Sequence, residues 1–346
     1  MSEKLVNQEN SRFNFAVWRE LLRRADFAAF YREQNTGVLT RYNVVLIGGL
    51  VLAPAAVAAA QAFGLPLLFR ETEVPLILYL WLLAMVLVSV GATLAWSRVF
   101  RREVRLAKFC RANGLTYRAR VRNLRVAGTP FRSDYDSMTG PLVSGKFDGE
   151  TFTLGHHIII NKRNQNKIEL YPPFVFARVG LPRKVPHIML LNKKSRIIPV
   201  RDASAARTNA ALKLEGDYAN QFQLICPRNY ERDALYIFTP DVIASIYDFA
   251  ADAEIELIDD QLFLYTRGQA TFRRPEKLIA LFDVLRRLNQ RFDKQTKRYC
   301  DARADRAVAS VAADARRLRI TSWSWLATLW AAVVVALIVW QVLANL

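Results

Sequence analysis

The 346-residue chain has only three cysteines and three histidines. Cys110, Cys226 and Cys300 are odd in number, far apart and never in C-x-x-C spacing. That argues against a disulfide framework and against a Cys-based zinc site, and it fits a reducing cytosol. His156 and His157 are neighbours in a predicted strand, so they point to opposite faces and do not share a metal. A Gly-rich phosphate loop with a following Lys-Ser/Thr, GxGxxG, HExxH and GxSxG are all missing, and no cofactor or metal is implied. Acidic residues are outnumbered, 31 Asp and Glu against 49 Lys and Arg, for a net charge of +18. Such a balance can signal nucleic acid, but aromatics are sparse among the basic clusters, which disfavours that partner. No cleavable signal peptide is expected, because the first apolar block starts after about 40 residues. The Arg23-Arg24 pair reads as surface charge beside Asp26.

What is present is three apolar blocks without a single charge, residues 44–63, 75–96 and 325–343. Each has about the 20 residues that a helix needs to cross ~30 Å of hydrocarbon. The mean hydropathy of +0.06 is then an average over apolar spans and a polar domain. Basic residues orient the blocks. Arg12, Arg19, Arg23, Arg24, Arg32 and Arg41 precede the first; the connection 64–74 has only Arg70, against Glu71 and Glu73. Arg98, Arg101, Arg102, Arg105, Lys108 and Arg111 follow the second, and Arg303, Arg306, Arg316, Arg317 and Arg319 precede the third. The expectation is an α+β membrane protein of the bacterial inner membrane with three transmembrane helices, N-terminus in and C-terminus out. Its segments are an amphipathic N-terminal stretch 1–43, a helical hairpin 44–96, a cytosolic α+β domain 97–274, a long helix 275–324, and a last span with a short tail 325–346. Gly49, Ala53, Ala56 and Ala60 give the first span a small-residue packing face, for its neighbours or for a second copy. No ionisable residue lies in any block, so transport by these helices alone is not expected.

Outside the blocks, Phe13, Val17, Leu21 and Ala25 recur at helical spacing, which predicts an amphipathic helix over 11–32 lying on lipid or on protein. Residues 97–113 continue the second block as a basic helix ended by Asn113-Gly114. Strands over 142–147 and 151–160 flank Asp148-Gly149, a hairpin signal. Extended stretches follow over 168–179 and 187–191, and strands over 221–225 and 234–238. A helix is predicted for 241–251, and a tight hairpin joins 254–258 to 261–265 around Asp259-Asp260. From Pro275, Leu278, Phe282, Leu285, Leu288, Phe292, Gln295 and Tyr299 approximate a heptad seam, and the helix is expected to run through 302–318 into the last span.

Several phrases resemble a bacterial membrane-protein family with two N-terminal spans and a cytosolic domain of unknown function. They are Ala107 with Asn113-Gly114-Leu115-Thr116-Tyr117, then Gly145-Lys146-Phe147-Asp148-Gly149-Glu150-Thr151-Phe152, then stretches within 215–224, 234–240 and 260–264. The resemblance covers about residues 40–270, and the third block departs from the two-span plan. It implies topology and fold and transfers no activity.

For function, the absence of a catalytic constellation points to a scaffold or adaptor whose α+β domain binds a partner protein or anionic lipid headgroups. Arg98, Arg101, Arg102, Arg105, Lys108, Arg316, Arg317 and Arg319 would meet the lipid surface, worth ~1 kcal/mol each. The alternatives are a membrane-tethered enzyme on a lipid-linked or nucleotide substrate, using Asp134, Asp136 and His156, and an accessory subunit of an envelope or transport complex assembled through the first span. The DxD spacing of Asp134 and Asp136 suits a cation, but no nucleotide fold precedes it. Cys226 reads as a buried small hydrophobe rather than a nucleophile.

Overall fold

The computed structural model describes residues 13–34, 74–131, 135–147, 149–162, 172–195, 197–198, 209–268, 272, 274–304 and 311–318. The chain divides into two units, Met1–Ala119 and Arg120–Leu346.

In the first unit, a single 3-10 turn (Phe15–Trp18) and helix α1 (Arg24–Gln34) precede helix α2 (Val74–Ala112) and a short strand β1 (Thr116–Arg118). Asn113 and Gly114 end α2, with Gly114 in the left-handed region at φ +67°, as a helix C-cap requires. The N-terminal stretch is a turn and a helix rather than one amphipathic helix. The Asp26 carboxylate accepts the Arg23 backbone N–H at 2.8 Å and starts α1 afresh. Its aromatic residues pack on protein, while Leu21 is exposed: Phe13, Phe15 and Trp18 surround Phe109 with ring centroids 4.8–6.3 Å apart, and Phe27 and Phe30 meet Phe100.

The three-span architecture is corrected. Among the described residues no helix is long and apolar enough to cross a membrane. The second apolar block and the basic stretch after it form one helix, as the sequence leads one to expect. Residues 75–96 open α2, which continues unbroken through Arg98, Arg101, Arg102, Arg105, Lys108 and Arg111 to Ala112, so apolar and charged turns share one element. The multi-pass inner-membrane assignment therefore has no described helix to rest on. The other two blocks, the orientation they implied, and Gly49, Ala53, Ala56 and Ala60 lie outside the described residues.

The second unit is α+β. Among its described residues seven strands belong to an antiparallel sheet: β2 (Val121–Arg122), β3 (Tyr135–Phe147), β4 (Glu150–Lys162), β5 (Phe174–Asn192), β6 (Ala210–Leu212), β7 (Phe222–Cys226) and β8 (Glu254–Arg267). The described residues also form the helices α3 (Tyr218–Gln221), α4 (Glu231–Ile237), α5 (Pro240–Ala250) and α6 (Pro275–Thr296). The β3–β4 hairpin turns where Asp148-Gly149 predicts, with Phe147 opposite Glu150. The 19-residue β5 is the spine. One edge pairs with β8 from Phe174 to Leu190; the other pairs first with β4 and then with β7. Both faces of β5 are covered, so its ends read as nearly continuous apolar runs rather than an alternation.

Three local expectations change. The hairpin around Asp259-Asp260 is one strand, because both halves pair with β5; Asp259, at φ +54°, bends β8 opposite the β5 irregularity between Gly180 and Val185. Residues 234–237, predicted as most of a strand over 234–238, are helical, since Ala234 and Ile237 turn inward while Leu235 and Tyr236 face out, a spacing of three that suits a helix and not a strand. The last helix stops at Thr296, and residues after Lys297 turn back toward α4.

Helix α6 covers one sheet face, with Phe152 edge-on to Phe282 at 5.5 Å and Phe238 on Phe292 at 5.2 Å. The opposite face carries Phe131, Phe174, Phe176, Met189, Phe263, Tyr265, Ile198 and Leu318. Gly155 is tightly enclosed on this face: a Cβ there would lie 2.7 Å from Phe176 Cε1 and 2.9 Å from Thr139 Cγ2. Gly155→Ala should lower stability by about 1–3 kcal/mol through overpacking, read as a lower urea midpoint of the purified chain. An unchanged midpoint would contradict this packing.

Candidate functional site

The most polar feature of the sheet interior is Glu256. Strand alternation from Glu254 brings both carboxylates to one face of β8, and both are fully buried. Thr129 donates its backbone N–H to the two Glu256 oxygens at 3.1 and 3.0 Å, and its hydroxyl to Oε1. Tyr265 Oη donates to Oε2 at 2.6 Å, and His187 Nε2 lies 2.7 Å from Oε1. His187 Nδ1 accepts the Leu318 backbone N–H at 2.9 Å, which puts the imidazole proton on Nε2 and makes that nitrogen a donor to Glu256. Burial alone would raise the carboxyl pKa; the His187, Thr129 and Tyr265 donors outweigh it and hold the group below its usual range. Burial and the adjacent anion push the Tyr265 phenol well up. The Thr129, Tyr265 and His187 donors are all directed at Glu256, and the Leu318 N–H closes on His187, so the cluster is a closed structural pin and not an acid–base pair facing a substrate. Gly128 makes it close: a Cβ there would collide with Tyr265 Oη and approach Phe131 and Phe263 to 3.2 Å.

A second cluster joins α4 to the chain after α6. The Asp301 carboxylate accepts from Tyr230 Oη at 2.8 Å and from the backbone N–H groups of Arg303 and Ala312 at 2.9 and 3.0 Å. Arg303 bridges Asp233 at 3.0 Å and lies 4.4 Å from the Tyr230 ring centroid; Tyr299 Oη donates to Asp233 at 3.0 Å. Burial opposes the charge on Asp301, but these donors hold its carboxyl low. This too is a tether with its groups satisfied.

The residues considered for chemistry do not converge. Asp134 lies outside the described residues. Asp136 pairs with Asn161, five residues along β4 from His156, about 16 Å at ~3.3 Å per residue. His157 Nδ1 and Thr139 Oγ1 are 2.7 Å apart, and the ring is packed among Phe131, Phe174 and Phe176. Burial holds Cys110 and Cys226 as thiols, with pKa values pushed up to about 12. Among the described residues no group of three His, Cys, Asp or Glu could hold a metal ion.

The basic residues separate by environment. Lys108 is bound to Glu20 and Asp26 at 2.9 and 3.3 Å, and Arg111 to Glu33 at 2.9 Å. Arg317 pairs with Asp259 at 2.9 Å, and Arg316 reaches the Val311 carbonyl at 3.3 Å. Arg105 is half-buried, Arg319 lies outside the described residues, and Arg98, Arg101 and Arg102 are exposed. Sequence counting treats these cations alike; the carboxylates that claim Lys108, Arg111 and Arg317 come from elements distant in sequence. An open cleft of about 360 Å³ in the first unit, lined by Glu33, Gln34, Arg111, Tyr117 and Arg118 among others, holds the Glu33–Arg111 pair and offers no nucleophile or base arrangement.

No protein-family model matches the chain, and no curated protein matches it. Among solved structures, the crystal structure of the mycobacterial trehalose monomycolate transport factor A, TtfA, aligns with 61% of this chain and 98% of its own at 10% identity and a TM-score of 0.38. A likeness of that degree carries no argument about this chain.

Burial, reinforced by the neighbouring His156, pulls the His157 pKa from 6.5 down to about 4. A base with a depressed folded pKa contributes stability that is full above the unfolded value and is lost as pH falls through the folded one. Unfolding free energy should therefore drop by about 3 kcal/mol between pH 6.5 and 4, at ~1.4 kcal/mol per pH unit. Urea titrations across that window should show the drop in the wild type and a flatter profile in His157→Gln. Parallel profiles would rule His157 out as its source.

Proposed function

We propose that the chain is a non-enzymatic protein that binds anionic lipid headgroups, at the cytosolic surface of the bacterial cytoplasmic membrane, through helix α2. The observation that supports this is a line of exposed residues along α2. Leu83, Leu87 and Leu94 are 55%, 63% and 53% exposed, and their spacing continues through Arg98 and Arg101, with Arg102 one step round the helix. Large apolar side chains at one end of a face and guanidinium groups at the other suit a surface of acyl chains edged by phosphates. The net charge of +18 adds long-range attraction. The closed hydrogen-bonding of the Glu256 and Asp301 clusters favours a binding role over catalysis.

Flotation of the purified full chain with phosphatidylglycerol/phosphatidylcholine vesicles tests the reading. It should prefer these to pure phosphatidylcholine, and the preference should weaken with salt. Replacing Arg98, Arg101 and Arg102 together by Gln should cut the anionic preference about a hundred-fold, at ~1 kcal/mol per residue. Equal binding to both vesicle types, or a triple variant that behaves as wild type, would sink the proposal.

A further inference from the structure

We propose that the outer faces of α4 and α5 form a docking surface for a basic, amphipathic segment of a partner protein. In the second unit, all the exposed large hydrophobic side chains among the described residues lie on these two consecutive helices: Leu235 and Tyr236 on α4, Tyr247 and Phe249 on α5, 37–49% exposed. The two helices bury Ala234, Ile237, Val242, Ile243 and Ile246 against their own unit, so these four residues face out because the inward side is already occupied. Scattered apolar residues on a surface are ordinary; four within 15 positions, and no others in the described part of the unit, mark an interaction face.

The charge around them specifies the occupant. Residues 227–252 contain five carboxylates and two guanidinium groups, net −3, in a chain of net +18. Asp233 is taken by Arg303 and Tyr299. Asp241, Asp248 and Asp252 are exposed; the first two, seven apart, share one line of α5, and Asp252 lies in the turn just past its end. Tyr247 and Phe249 stand on either side of Asp248. The aromatic rings already show what they accept: the Arg287 guanidinium lies 4.7 Å from the Phe249 ring centroid, and Tyr218 meets Tyr247 edge-on at 5.4 Å. Aromatic faces beside carboxylates favour Arg and Lys by cation–π and ion-pair contacts together. The same aspartates would repel an anionic lipid surface, so the occupant is protein rather than headgroups, and its apolar residues would cover Leu235, Tyr236, Tyr247 and Phe249. This surface is distinct from the basic face of α2 and rests on independent observations.

The test is anisotropy of two fluorescein-labelled 18-residue helical peptides, one of Lys and Leu and one of Glu and Leu in the same pattern, titrated with the lipid-free full chain. The Lys/Leu peptide should bind saturably although the protein as a whole is strongly basic, and the Glu/Leu peptide should not. Tyr247→Ser with Phe249→Ser, and separately Asp241→Asn with Asp248→Asn and Asp252→Asn, should each weaken binding at least ten-fold without changing the urea midpoint. The Arg98, Arg101 and Arg102 to Gln variant should bind the peptide as wild type does, which separates this surface from lipid binding. Absence of saturable binding, equal binding of both peptides, or variants with wild-type affinity would overturn the proposal.

Discussion

The sheet unit depends on one buried anion. A carboxylate removed from water costs several kcal/mol unless its lone pairs are met, and no cation meets Glu256. His187 supplies a neutral N–H, because its other nitrogen is occupied by the Leu318 amide. The charge is held only by dipoles, from Thr129, Tyr265 and His187. Each donor comes from a different stretch of chain: the loop before β3, the far half of β8, and β5, with the segment at Leu318 one bond further out. Withdrawing any of them exposes a charge deficit that the Phe-lined surroundings cannot repair, so the elements assemble together or not at all. The aromatic cluster supplies apolar burial; the anion gives it a single arrangement, since aromatic contacts tolerate sliding and five converging hydrogen bonds do not.

That constraint was illegible in the sequence for a physical reason. Glu254-Ile255-Glu256-Leu257 has the alternation of a strand with one wet face, and a polar residue in such a pattern is ordinarily outside. The strand is buried on both faces because the loop at Thr129 and the segment at Leu318 return over it, from more than a hundred and about sixty residues away. Asp259-Asp260 misled in the same direction. Turn-forming residues between two apolar runs read as a hairpin, whereas a bend in a strand that follows a bent partner needs the same left-handed residue. By contrast, Asp148-Gly149, the Gly114 cap, and the seam Leu278, Phe282, Leu285, Leu288 and Phe292 were readable, since each is set by residues within a few turns of each other.

Helix α4 shows local propensity losing to context. Ala-Leu-Tyr-Ile-Phe is strand-like by composition, yet Glu231 and Asp233 sit in the first turn of a helix, where carboxylates complement the backbone dipole. Ala234 and Ile237 fill the inner side, and Tyr230 and Asp233 are held by Asp301, Arg303 and Tyr299. The helix is thereby pinned at its start by the returning chain, and Leu235 and Tyr236 are left outside. An apolar residue exposed because its neighbours have taken the interior is a different thing from one exposed by chance, and it is the reason the α4 and α5 surface reads as a binding face.

The sign of the charge beside exposed apolar side chains then separates two kinds of partner on one polypeptide. On α2 they run into Arg98, Arg101 and Arg102, a combination that an anionic sheet of phosphates attracts and a basic protein segment repels. On α4 and α5 they accompany Asp241 and Asp248, with Asp252 just past the end of α5, and both preferences invert. Within a Debye length of ~8 Å at physiological salt, local sign rather than the total of +18 governs encounter, so the excess of positive charge does not blur the distinction. A chain built this way can satisfy both partners without competition between them, because what draws each to its own helix excludes it from the other.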